Sequence, residues 1–67
     1  MKKGIYITYK NGHTDIFENG DLESKTWTMM GHASEVISAW QTSKEIFKFD
    51  NYNAVCLSEV ISIRYIN

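Results

Sequence analysis

Proline is absent from this sequence, and cysteine occurs once, at Cys56. Without proline, no candidate strand is interrupted by a residue that cannot donate to a ladder. A single cysteine excludes a disulfide within the chain. With only His13 and His32 beside it, and no CxxC or HxxxH spacing, a structural zinc site is not expected. One unpaired thiol also suits a reducing compartment. No apolar run approaches the ~18 residues of a membrane helix. Met1-Lys2-Lys3 resembles the first residues of a signal peptide, but polar residues interrupt the chain within a few positions of it. A cytoplasmic location is therefore expected. Charge of one sign is lacking too: seven Lys and Arg stand against eight Asp and Glu, a net −1. P-loop, GxGxxG, GxSxG and DxDxDG patterns are all missing. These absences predict a protein that is not an enzyme and carries no metal or cofactor.

What the chain does have is bulk. Nine of its 67 residues are aromatic: Trp27, Trp40, Tyr6, Tyr9, Tyr52, Tyr65, Phe17, Phe47 and Phe49. A chain of this length makes one domain, residues 1–67, and buries only ~60% of the surface its unfolded form exposes. With disulfides and metals excluded, stability is left to close packing or to association with another chain.

The strongest local signal opens the sequence. Gly4 to Lys10 is rich in β-branched and aromatic residues, with Ile5, Ile7 and Tyr9 on one face. Asn11-Gly12 is the preferred pair for a two-residue type I′ turn, and His13 to Glu18 reads as the returning strand. Asn19-Gly20-Asp21 repeats the turn chemistry. Leu22 to Met30 reads as a third strand, and Gly31-His32-Ala33-Ser34 as a break. Glu45 to Asp50 is a strand with Phe47 and Phe49 inward. Asn51-Tyr52-Asn53 is a turn, Ala54 to Leu57 pairs back, and Ser58-Glu59 makes a kink or 3-10 turn. Val60 to Ile66 closes the domain with Ile61, Ile63 and Tyr65 on one face and Arg64 on the other.

Residues 34 to 41 fit two readings. Ala33, Val36, Ile37 and Trp40 match a helical stripe that Ser34 could cap. Against it, Val36, Ile37, Ser38 and Trp40 are mediocre helix formers, and so short a helix depends on tertiary packing. Pattern and propensity together favour a strand, in keeping with the even beat of strands and turns. The expected fold is all-β: a small antiparallel meander curled into a barrel or half-barrel. The alternative is an antiparallel sheet with one short helix around residues 33–41.

Two segments carry a resemblance. Ile5-Tyr6-Ile7-Thr8-Tyr9-Lys10-Asn11-Gly12, with Phe17 after it, is similar to the opening of many short β proteins from phages and prophages of Gram-positive bacteria. Phe47 and Phe49, followed by Val55-x-Leu57-x-x-Val60-x-x-Ile63, looks like the usual ending of such chains. These motifs cover about half the chain, and the middle, Thr26 to Thr42, departs from them. The resemblance implies an all-β fold and a mobile-element origin; it implies no catalytic or binding residue.

Among candidate chemistries, His13 and Asp15 share a strand face at i, i+2, half of a metal site, while both histidines read as surface residues beside turns. Cys56, between Val55 and Leu57, reads as a small packed residue. Tyr6 and Thr8, flanked by Lys10 and Arg64, could form a stacking face for single-stranded nucleic acid, but the charge balance is poor for that role. The residues hardest to hide in so small a core are Trp27, Met29, Met30 and Trp40, which are the expected partner-binding residues. The expected function is a non-enzymatic protein–protein interaction module, a phage or prophage accessory protein acting on itself as a homo-oligomer or on a host protein. The alternatives are an oligomeric small-ligand or nucleotide binder with its pocket between subunits, or a small barrel for single-stranded nucleic acid.

Overall fold

Alternating β-branched and aromatic residues build the first strand. In a computed structural model describing residues 2–22 and 28–67, β1 spans Gly4–Tyr9, with Ile5 and Ile7 at 0% exposure. Strand β2, Thr14–Phe17, returns antiparallel, with Ile5 opposite Phe17 and Ile7 opposite Asp15. The connection is not the expected type I′ turn. That turn needs positive φ at both central residues, yet Ser43 is the one non-glycine among the described residues with positive φ. Instead the Gly12 N–H donates to Tyr9 O and the Tyr9 N–H to His13 O, both at 2.9 Å, with Gly12 at φ 90°. This is a three-residue loop closed by a glycine bulge. The Asn11 side chain supports it by accepting from the His13 N–H.

The middle of the chain is a helix, α1, Met29–Gln41. The strand expected over 34–41 and the break expected at Gly31–Ser34 are both corrected, and the one-helix alternative is the architecture observed. Three local causes produce it. Thr28, in extended conformation, caps the N-terminus by accepting from the Gly31 N–H at 3.1 Å, so the cap lies six residues before Ser34. Met29, Ala33, Val36 and Trp40 then fall on one stripe, with Ala33 and Val36 in the core. At the other end Ser43 adopts φ 62°, its N–H donates to Trp40 O, and the Lys44 N–H reaches Ala39 O. That pair of bonds is a Schellman stop with serine where glycine is usual. Of the expected third strand, Met29 and Met30 are helical and residues 23–27 lie outside the described residues.

Strands β3, Ile46–Lys48, and β4, Ala54–Cys56, form a separate hairpin, held at its turn by Asp50 accepting from the Tyr52 and Asn53 N–H groups. A 3-10 turn at Leu57–Glu59 leads into β5, Val60–Ile66. β5 pairs antiparallel with β1 rather than with β4, giving one sheet of order β2-β1-β5 and another of β3-β4. There is no closed barrel among the described residues. A bulge opposite Thr8 and Tyr9 shifts the register of β5, leaving Val60 buried and Ile61 56% exposed. Ile61 therefore does not continue the single face expected for it with Ile63 and Tyr65.

The helix packs against β1 and β5, while the β3-β4 hairpin reaches the β2 side, where Phe49 meets Phe17 with ring centroids 5.1 Å apart. Both cover the same face of the three-stranded sheet. The core between these layers contains Ile5, Ile7, Val36, Val55 and Leu57. No helix among the described residues is long and apolar enough to cross a membrane.

Candidate interaction surface

The other face of the sheet is the one that the described residues leave open. Cross-strand partners share a face, so Tyr6 and Thr8 of β1 stand with Ile16 and Thr14 of β2 and with Arg64 and Ser62 of β5. Ile66, opposite Gly4, completes the row. All of these side chains are half-buried or exposed, Ile16 at 46%, where Ile5 and Ile7 on the reverse face are fully buried. Tyr6 donates its hydroxyl proton to Lys2 O at 2.7 Å, and the Thr8 and Thr14 hydroxyls meet at 3.1 Å. The face carries one aromatic ring, two isoleucines, three aliphatic hydroxyls and a single cation.

The methionine and tryptophan residues expected to bind a partner are spread along α1. Met29 and Trp40 lie on the same side of the helix, because eleven residues return it to within about 20° of the start, about 16 Å further along. Both are half-buried against the core. Met30, one position round, is 57% exposed. The structure does not bring the three into one contact, and Trp27 lies outside the described residues. Instead Met29, with Lys3, Asn19 and Tyr65, lines a cleft of about 370 Å³ at the helix N-terminus. Trp40, with Lys10 and Leu57, lines another of about 360 Å³ at the opposite end. Sequence reasoning missed Ile16 and Ile61 as exposed residues. Strict alternation beside half-buried Phe17 was a signal for Ile16, whereas the bulge that exposes Ile61 leaves no mark in the sequence.

His13, Asp15 and Tyr9 do come together. Tyr9 donates to Asp15 Oδ2 at 2.7 Å, and His13 Nε2 lies 2.9 Å from Asp15 Oδ1. The Tyr9 and His13 rings stack with centroids 6.1 Å apart. Burial, then the bond to Asp15 and its charge, pushes the Tyr9 phenol well above its ordinary range. An activated nucleophile or base needs the reverse, so this trio works as a clamp on the first hairpin. No group of three metal-binding side chains occurs among the described residues. His32 is not a surface residue beside a turn. It is buried in α1 with its ring edge-on to Phe49, at 5.9 Å. Cys56 is exposed rather than packed, because β4 turns Val55 inward and Cys56 out, where its Sγ lies 3.3 Å from Ser58 Oγ.

No protein-family model, curated protein or solved structure matches this chain.

Proposed function

We propose that this chain is a non-enzymatic protein–protein interaction module that associates with a second copy of itself. One observation carries the reading: among the described residues the three-stranded sheet is covered on one face only, and Tyr6, Ile16 and Ile66 stand on the other. Apolar side chains grouped on a sheet in this way favour association, although this face alone is smaller than a standard interface. Ile46, Ile61 and Met30 add exposed apolar area elsewhere.

The open face also supports the nucleic-acid reading less well than self-association. It offers one ring for stacking and only Arg64 for phosphate, whereas backbone tracking requires several cations. The clefts at the two ends of α1 fall at the low end of the ~300–1,000 Å³ of ligand pockets, which keeps a ligand site between subunits as a further outcome of the test. The exposed thiol of Cys56 suits the reducing cytosol, and the resemblance to phage and prophage β proteins suggests an accessory role as the setting.

The test is mass against concentration, by sedimentation equilibrium or light scattering. The expected result is a rise from the 7.8 kDa of one chain toward twice that value. A mass of 7.8 kDa at every concentration up to about 1 mM, a Kd beyond useful association, overturns the reading.

A further inference from the structure

Two parts of the sheet could join two copies: the open face, and the edge of β5 that no described strand pairs with. The face is small. Three strands 4.8 Å apart and about 20 Å long give a footprint of roughly 300 Å², against the ~800 Å² per partner of a standard interface. The edge offers something the face does not, unpaired backbone groups in a row.

Which groups are unpaired is set by the first hairpin. Tyr9 uses its N–H and C=O toward β2, donating to His13 O and accepting from Gly12 N. Backbone direction alternates along an antiparallel strand, so Thr8, Tyr6 and Gly4 turn theirs toward β5. Their partners Ser62, Arg64 and Ile66 are the hydrogen-bonded ones. The N–H and C=O of Ile63 and Tyr65 consequently point away from β1. Among the described residues no strand pairs with that edge. It has few of the devices that protect an edge: no proline, no lysine, one charge at Arg64, and a bulge at one end only. At seven residues β5 is the longest strand among those described.

We infer that two copies pair antiparallel, β5 against β5, to make one six-stranded sheet; this rests on the self-association proposed above. The two-fold register is limited by charge and by the bulge. Centred on Arg64, the pairing would set two arginines opposite each other in the close, non-hydrogen-bonded position, which is repulsive. Centred on Ile63, it would need regular backbone at Ile61, which lies at the bulge. Centred on Tyr65, it uses the free groups of Tyr65 and Ile63 and sets each Arg64 against Ile66 of the other copy, on the open face. That register is the one assigned.

The experiment combines amide exchange with charge substitution on the full chain. In a concentrated sample the Ile63 and Tyr65 amides become protected, and dilution frees them, while the Arg64 amide stays protected at both concentrations. Ile66→Glu creates two symmetry-related Glu–Arg pairs and tightens Kd by roughly 2- to 30-fold; Ile66→Arg weakens it by a similar factor. The same changes at Ser62 leave Kd within about twofold. Mass that rises while the Ile63 and Tyr65 amides stay unprotected overturns edge pairing and leaves self-association standing. A response at Ser62 in place of Ile66 overturns the register. A single-chain mass throughout removes both proposals together.

Discussion

Gly4 is where the backbone leaves no room for a side chain, and Gly4→Ala measures that. A Cβ built there would lie 2.5 Å from Phe17 O and 3.2 Å from its carbonyl carbon. Both are backbone atoms at the end of β2, so no rotamer change relieves the contact. The strand must move against its partner, at a cost of about 1–3 kcal/mol for a forced shift in a packed site. The φ of +157° adds strain for any L side chain. Gly12 and Gly20 are controls: they have φ of +90° and +98°, with nothing within 4 Å of the added carbon. Alanine there meets conformational strain alone, about 1–2 kcal/mol. At about 4–8 °C per kcal/mol for a domain of this size, the two costs at Gly4 together, about 2–5 kcal/mol, lower Tm by roughly 8–40 °C, and the controls lower it by roughly 4–16 °C. Urea unfolding followed by tryptophan fluorescence reads the same order, with the slope m unchanged if only the native state is affected. A Gly4→Ala loss no larger than that of Gly12→Ala would refute the close approach of β1 to the end of β2.

The helix stop and the hairpin clamp give two further outcomes. Ser43→Gly removes left-handed strain at the Schellman position, and after the entropy cost of glycine it should stabilise by about 0.5–1 kcal/mol; a loss of stability in the urea midpoint would contradict the geometry. The raised pKa of Tyr9, caused first by burial and then by Asp15, gives a stability contribution that is whole below the ordinary tyrosine pKa of 10.0. Above it the unfolded chain loses its proton first, so stability falls as pH rises. Tyr9→Phe should flatten that alkaline decline in urea midpoints measured against pH, and an unaltered slope would show that Tyr9 ionises alike in both states.

The hairpins were legible because their signals are local. Alternation from Ile5, the Asn11-Gly12 pair as a reversal of the chain, inward Phe49 and the closing strand from Val60 all rest on a few neighbouring residues. The helix was harder. Its stripe of Ala33, Val36, Ile37 and Trp40 was visible, but its limits were not. Thr28 as cap lay inside an apparent strand, Gly31 looked like a break instead of an early helical residue, and the stop carries serine in place of glycine. At Gly31 and Ser43 packing over the sheet outweighed an ordinary propensity, whereas Thr28 is a favoured cap residue. The open surface was partly legible: Tyr6, Thr8 and Arg64 were assigned to one outer face. Exposure of Ile61 and Cys56, by contrast, depends on a bulge and on how a three-residue strand lies over the core. Neither has a periodic signature.

The misread helix and the free edge have a common origin. Thirteen residues wound as α1 extend about 20 Å, enough to cover much of one sheet face; as strands they would reach about 43 Å and supply the extra strands a barrel needs. A barrel hides its edges by closing, whereas a helix laid on a sheet can cover a face but cannot pair with a strand. The helix therefore exchanges closure for burial of Ala33 and Val36, and it leaves β5 with donors and acceptors pointing outward. Water can satisfy those groups at little cost, so the monomer is not forbidden. A second β5 satisfies them while also covering part of Ile66 and Tyr65. Affinity then depends on side chains at positions 63–66 more than on the backbone bonds, whose net contribution after desolvation is only about 1 kcal/mol each. For this reason charge at Ile66 is the sharper probe of association than any disruption of the strand itself.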